Sequence, residues 1–363
     1  MLMSRDTIGQ LFMIGFDGTD LSPDLAAFLK EYRPGGVILF ARNLQSTEQI
    51  VELTNALQRC SPQSPLLIAV DQEGGRVSRL PKEFTIFPPC EILGRCRSPQ
   101  LAYAAAEATA RELRAVGINM NMAPVLDVNS NPANPVIGDR AFGSTPELVC
   151  ELGWAAVRGL QENGVIACGK HFPGHGDTAA DSHHELPVVT ASRERLERLE
   201  LLPFRHAASQ GIAAMMTAHV LYRALDENHP ATLSPTVIGT LLRQELRYDG
   251  VVLTDDLEMR AIIDHYGIEE ATVRSVQAGC DIILICKDRN REAAAIDALD
   301  KAVADGTIST DRLAQSLERI ARLKGRFLAS SQPAVFSDAT SVVGCQAHRA
   351  LLHSINQAAE RPM

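Results

Sequence analysis

Short apolar runs recur along the chain at intervals that leave room for a helix between them, the mark of repeated βα units. Eight are present: LFMIGF (11–16), GVILF (36–40), LLIAV (66–70), INMNMA (118–123), VIACG (165–169), AAMMTA (213–218), VVLT (251–254) and DIILIC (281–286). Most are apolar throughout rather than alternating, as in strands covered on both faces. The segments between them carry a helical period. Ser234 is placed to cap a helix, Pro235 suits its first turn, and Ile238, Leu241, Leu242 and Leu246 fall on one face, with Asp249-Gly250 turning into the next strand. Leu313, Leu317 and Ile320 mark a further amphipathic helix within 309–325 that would close an outer ring.

Eight such units favour an α/β fold of the closed (β/α)8 type, a TIM-like barrel, over a doubly wound sheet, and no G-x-G-x-x-G or P-loop pattern is present. A single catalytic domain over 1–330 is expected. Residues 331–363 become rich in Ser and Ala and end in a predicted helix, HRALLHSINQAAE. They hold too little apolar content for a second core and read as a tail, packed or frayed.

Composition narrows the function classes. The 363 residues carry 35 Lys and Arg against 44 Asp and Glu, a net charge of −9 without a basic cluster, so nucleic acid is not an expected partner. No apolar run reaches the ~18 residues of a membrane span. The N-terminal MLMSRDTIGQ lacks a secretory pattern, and a cytoplasmic monomer is expected. The eight cysteines contain no C-x-x-C pair and read as reduced thiols, neither a disulfide framework nor a zinc knuckle.

In a barrel of this kind the active site forms where the strands end. The third run leads into Asp71-Gln72-Glu73-Gly74-Gly75-Arg76-Val77-Ser78-Arg79, the fifth into Lys170-His171, the sixth into His219 and the seventh into Asp255-Asp256. The segment Cys168–Pro187 holds His171, His175, His183 and His184 together with Asp177, Asp181 and Glu185, a density of titratable groups that a passive connection would not need. Asp181 and His183 are one residue apart, so an extended stretch would point both the same way as an acid/base pair. The competing reading is a metal-dependent hydrolase using His171, His175 and His183. It lacks the H-E-x-x-H or H-x-H spacing that preorganises ligands, and neither a metal nor a cofactor is expected.

The segments DQEGGRVSR, GDRAFG, KHFPGHGDTAADSH and TDDLEM, in this order on successive strands, resemble glycoside hydrolase family three, specifically its bacterial β-N-acetylglucosaminidase branch, over about residues 5–330. Ala141 departs from the commoner G-D-R-S-F. The resemblance implies a retaining exo-glycosidase that releases terminal β-linked N-acetylglucosamine from peptidoglycan-derived muropeptides or disaccharides, as in cell-wall recycling. It implies that Asp255 is the nucleophile, that His183 is the acid/base with Asp181 as its partner, and that Asp71, Arg79, Arg140, Lys170 and His171 hold the terminal sugar. Asp256 is given a capping or supporting role. The Gly/Pro-punctuated loop that carries His183 is expected to move during turnover. Trp154 lies in a helical stretch and is expected in packing rather than in a long aromatic acceptor cleft.

Overall fold

The computed structural model describes residues 5–330 and 332–360. Eight parallel strands close a barrel in sequence order: β1 (Phe12–Ile14), β2 (Gly36–Leu39), β3 (Leu67–Val70), β4 (Met120–Asn121), β5 (Ile166–Phe172), β6 (Ala214–Thr217), β7 (Val251–Asp256) and β8 (Ile282–Ile285). Phe12 pairs with Ile283 and Met13 with Gly36, so β1 meets both β8 and β2. Every strand residue is buried except Asp255 and Asp256 at the tip of β7, which are partly covered. This is the (β/α)8 fold that the apolar runs predict, and its strand centres coincide with those runs.

Helices follow each strand on the outside, among them Pro23–Tyr32, Thr47–Arg59, Pro99–Ala115, Pro146–Glu162, Leu202–Gln210, Arg260–Ala278, Arg289–Ala304 and Thr310–Leu328. Local sequence sets their starts. Ser22 accepts from the Leu25 amide at 3.2 Å and Ser98 from the Leu101 amide at 3.3 Å, each followed by a proline whose missing N–H costs nothing in the first turn. Among the described residues no helix is long and apolar enough to cross a membrane.

Three boundaries differ from the sequence reading in ways that matter for chemistry. Strand β5 continues through Phe172 rather than stopping at Gly169, so Lys170 and His171 are buried strand residues and not part of a loop. Strand β7 likewise runs on through Asp255 and Asp256. The helix after Ser234 spans Thr236–Glu245 and is wound wider than an α-helix. Its C-terminal end closes with Leu246 N–H donating five residues back to Leu241 O at 2.9 Å. Ile238, Leu241, Leu242 and Leu246 nonetheless stay on the buried side, and Ser234 Oγ caps the Val237 amide at 3.0 Å.

The C-terminal segment is packed. Its helix Gln346–Ala359 lies against Cys90–Cys96 and Pro99–Ala115, with Ile355 fully buried. Buried Glu112 ties it down, accepting from the Gly344 amide at 3.0 Å and pairing with His348 Nδ1 at 2.7 Å, while its second oxygen accepts from the Thr85 amide at 2.9 Å.

Candidate active site

The C-terminal ends of the strands surround a cavity of about 370 Å³. Asp71, Arg79, Arg140, Lys170, His171, Asp181, His183 and Asp255 all line it, whereas His219, Asp177, His184 and Glu185 do not. Glu73, Arg76, His175, Ser182 and Asp256 line it too.

One wall is a charge network built on Glu73, to which sequence reasoning gave no role. Arg140 meets Glu73 as a two-pronged fork, Nε to Oε2 and Nη2 to Oε1, both at 2.8 Å. Lys170 Nζ lies 2.7 Å from Glu73 Oε1 and 2.7 Å from Asp71 Oδ1. Burial opposes ionisation of Glu73, but Lys170 and Arg140 outweigh it and hold the carboxyl well below the usual range. Lys170 in turn is kept charged despite burial, because Asp71 and Glu73 outweigh its desolvation. Arg76, bonded to Asp139 at 2.8 Å and to Val136 O at 2.6 Å, holds the turn that delivers Arg140. Arg79 Nε is buried without a hydrogen-bond partner, although the residue lines the cavity.

His171 is oriented by Asp127, a second residue missed from sequence. Asp127 Oδ2 lies 2.7 Å from His171 Nδ1, and Oδ1 accepts the His171 and His175 amides at 3.1 and 2.7 Å. The Nδ1 contact leaves Nε2 as the nitrogen able to meet a ligand. The rule used for other strands would have found Asp127 had Pro124 not been read as the end of β4. Beyond Pro124 the chain continues alongside β5, with Leu126 N–H donating to Lys170 O at 2.7 Å.

At the tip of β7 two adjacent carboxyls are driven apart. Burial resists ionisation of Asp255, yet the nearby His219 and His171 and the Asp256 amide, which donates to its Oδ1 at 2.8 Å, hold it below the ordinary carboxylate range. Asp256 lacks comparable support, and burial pushes it up to about 7 even though it accepts from the Glu258 amide at 3.0 Å. His219 is fully buried and disfavoured as a cation by that burial. Its Nε2–H donates to Asp256 O at 3.0 Å, and Nδ1 faces Thr232 Oγ1 at 2.7 Å.

Asp181 and His183 do pair, Oδ1 to Nδ1 at 2.8 Å, but not through an extended stretch. The chain turns here: the His184 and Glu185 amides donate to Asp181 O at 2.9 and 3.1 Å, and the Asp181 side chain accepts the His183 amide at 2.9 Å. A short carboxylate competing for nearby amides favours such a turn over extension, and it gives the same contact by a different route. The His183 side chain is 62% exposed and that of Asp181 30%.

The histidines of this loop do not gather as ligands. Both ring nitrogens of buried His175 are engaged, Nδ1 with Thr178 Oγ1 at 2.8 Å and Nε2 with Ser182 Oγ at 3.3 Å. Among the described residues no group of three His, Cys, Asp or Glu side chains is arranged to hold a metal ion.

Residues 3–323 match the model of the glycosyl hydrolase family 3 N-terminal domain. The chain belongs to glycosyl hydrolase family 3. Family 3 relatives extend the match over most of its length. Beta-hexosaminidase A of Pseudoalteromonas piscicida is 41% identical over 359 residues, covering 92% of this chain and 60% of its own. The beta-hexosaminidase of Alkalilimnicola ehrlichii is 45% identical over 280 residues, 76% of this chain and 80% of its own. The chain thus spans less than two thirds of the first relative and most of the second. Among solved structures, a family 3 beta-N-acetylglucosaminidase from a Paenibacillus species superposes with a TM-score of 0.93 at 46% identity, covering 99% of this chain and 69% of that one. A zinc-bound CbsA from Thermotoga neapolitana gives a TM-score of 0.83 at 35% identity, covering 89% and 68%.

Proposed function

We propose that this chain is a retaining exo-β-N-acetylhexosaminidase in which Asp255 is the nucleophile and His183, held by Asp181, is the acid and base. One observation carries the reading. Asp255 is favoured as a carboxylate while adjacent Asp256 titrates near 7, and the ionised member shares its cavity with an imidazole already paired to a carboxylate.

In the first step a carboxylate oxygen of Asp255 bonds to the anomeric carbon as the bond to the leaving oxygen breaks, and protonated His183 gives that oxygen its proton. In the second step neutral His183 takes a proton from water, whose oxygen attacks the anomeric carbon and frees Asp255. Two inversions leave the configuration retained. Asp181 on Nδ1 leaves Nε2 as the nitrogen that exchanges the proton. Asp71, Arg79, Lys170, His171 and Arg140 are assigned to the terminal sugar, with Glu73 fixing the latter's guanidinium and Lys170. The cavity, about 370 Å³, stands at the small end of ligand pockets, which run from about 300 to 1,000 Å³. That scale suits removal of one terminal residue.

The beta-hexosaminidase and beta-N-acetylglucosaminidase names of the relatives support the sugar assignment. We extend it to muropeptides or disaccharides derived from peptidoglycan, acted on by a cytoplasmic monomer; assays on such fragments and a mass measurement in solution test this extension. The mechanism is tested with aryl β-N-acetylglucosaminides. Asp255→Ala is expected to lower kcat by at least about a thousandfold. His183→Ala is expected to spare kcat/KM for substrates whose leaving group needs no proton, and equal losses of kcat/KM on activated and unactivated substrates would contradict it. The first product anomer seen by NMR is expected to be β. Full activity after chelation separates this reading from a metal-dependent hydrolase using His171, His175 and His183.

A further inference from the structure

The segment between β5 and the short strand Val188–Val189 has a root and a tip that are held differently. The root is fixed to the barrel. The His175 amide donates to Asp127, and Asn134 Nδ2 donates to His175 O and Gly176 O at 2.8 and 3.0 Å. Gly176 packs so closely that a Cβ there would lie 1.6 Å from Val128 O. The tip holds the acid/base pair, whose two side chains are partly or largely exposed. Between them Ser182 is only 2% exposed.

Ser182 makes the two bonds that join tip to frame. Its hydroxyl lies 3.3 Å from Nε2 of His175 in the root, and its carbonyl accepts the Ala261 amide at 3.2 Å. Ala261 is the second residue of the helix Arg260–Ala278, whose preceding residue, Met259, supplies no side-chain cap. A helix cannot satisfy its first amides internally, so Ser182 caps this one from another loop. That helix starts immediately after the turn that the Met259 amide closes on Asp256 O at 3.0 Å. One serine therefore links the loop carrying His183 to the helix that follows the strand bearing Asp255.

We propose that Ser182 is a positioning residue, a latch whose contacts with His175 and Ala261 seat His183 over the cavity that contains Asp255. The proposal rests on the reading of His183 as proton donor. His175 suits the task because burial holds it down to about 4, so it is neutral and unchanged across the working range. Lifting the tip breaks both Ser182 bonds together and leaves the root intact.

The test is Ser182→Ala, which removes the hydroxyl contact and keeps the carbonyl. On an unactivated N-acetylglucosaminide, kcat/KM, which reports the bond-breaking step, is expected to fall about five- to tenfold, the weight of one hydrogen bond, while kcat/KM for a substrate with an activated leaving group is unchanged. In a His183→Ala background the same change is expected to do nothing further. Amides of residues 180–185 are expected to exchange faster with solvent deuterium than in the unmodified protein. Should Ser182→Ala not accumulate folded, Ser182→Cys keeps the shape with a much weaker donor and is expected to behave alike. Equal losses on both substrates, or a loss that persists without His183, overturns the latch. An absence of leaving-group dependence in His183→Ala itself would instead overturn the acid/base assignment.

Discussion

Asp127 and His171 face each other across 2.7 Å, carboxylate Oδ2 to imidazole Nδ1, at a position where Asp127 has no exposure at all. The aspartate also gathers the amides of His171 and His175, so it sets both the ring's tautomer and the course of the chain into the catalytic loop. Burial raises the cost of that charge, and the His171 ring repays it enough to hold the carboxyl below its ordinary value.

Replacing Asp127 by Asn keeps the shape but lets an amide N–H face the ring, which favours the opposite tautomer. The expected result is a fall in kcat/KM of about 10- to 100-fold, the usual weight of a residue that orients a ligating histidine, with melting temperature little changed. Steady-state kinetics on an aryl N-acetylglucosaminide would show it; an unaltered kcat/KM would remove the orienting role.

Glu73→Gln tests the charge network from the other side. It leaves Lys170 with Asp71 as its remaining paired carboxylate and takes from buried Arg140 the carboxylate that its guanidinium forks. Breaking one partner out of a buried ion cluster costs about 3–5 kcal/mol, so a lower urea midpoint is expected together with a raised KM. A variant as stable as the parent, with the same KM, would mean that Glu73 neither supports the fold nor shapes the sugar pocket.

Glu292 supplies a pH dependence. It is fully buried beside Arg289, 2.6 Å from its Nη1, and one carboxyl oxygen has no partner. Burial pushes it up to about 8 against the pull of Arg289. Near pH 4 and below, folded and unfolded chains both carry the proton; from the unfolded value near ~4.3 up to about 8 only the folded chain does. Stability is therefore lost as pH rises through that window. Glu292→Gln removes this loss, so the drop in unfolding free energy between pH 5 and pH 8 is expected to be smaller in the variant, measured by denaturant titration at both values. Equal drops would show that Glu292 is ionised in the folded protein.

The barrel was legible because its strands are buried on both faces: runs such as LLIAV and DIILIC admit few other readings. Asp255, Lys170 and His171 were legible as charges directly after such runs. Their supports were not. Glu73 gains meaning only when β3 and β5 bring it against Lys170, and Asp127 was hidden by Pro124, which does not end the pairing with β5. Ser182 stands among six titratable loop residues, and nothing local distinguishes it; its importance comes from a distant helix with an open amide. Tail packing was equally invisible, since Glu112 and His348 lie over two hundred positions apart. Long-range pairings between single polar side chains leave no period to read.

The cavity's lasting charges nearly balance. Arg76, Arg79, Arg140 and Lys170 stand against Asp71, Glu73, Asp181 and Asp255, with Asp256, pushed up to about 7, only partly ionised at neutral pH. With little net field at its mouth, the pocket cannot draw a ligand in from a distance, and added salt has little long-range attraction to screen. Association with an uncharged sugar should then proceed at nearly the same speed in dilute and concentrated buffer, and discrimination falls to fixed dipoles met only after entry.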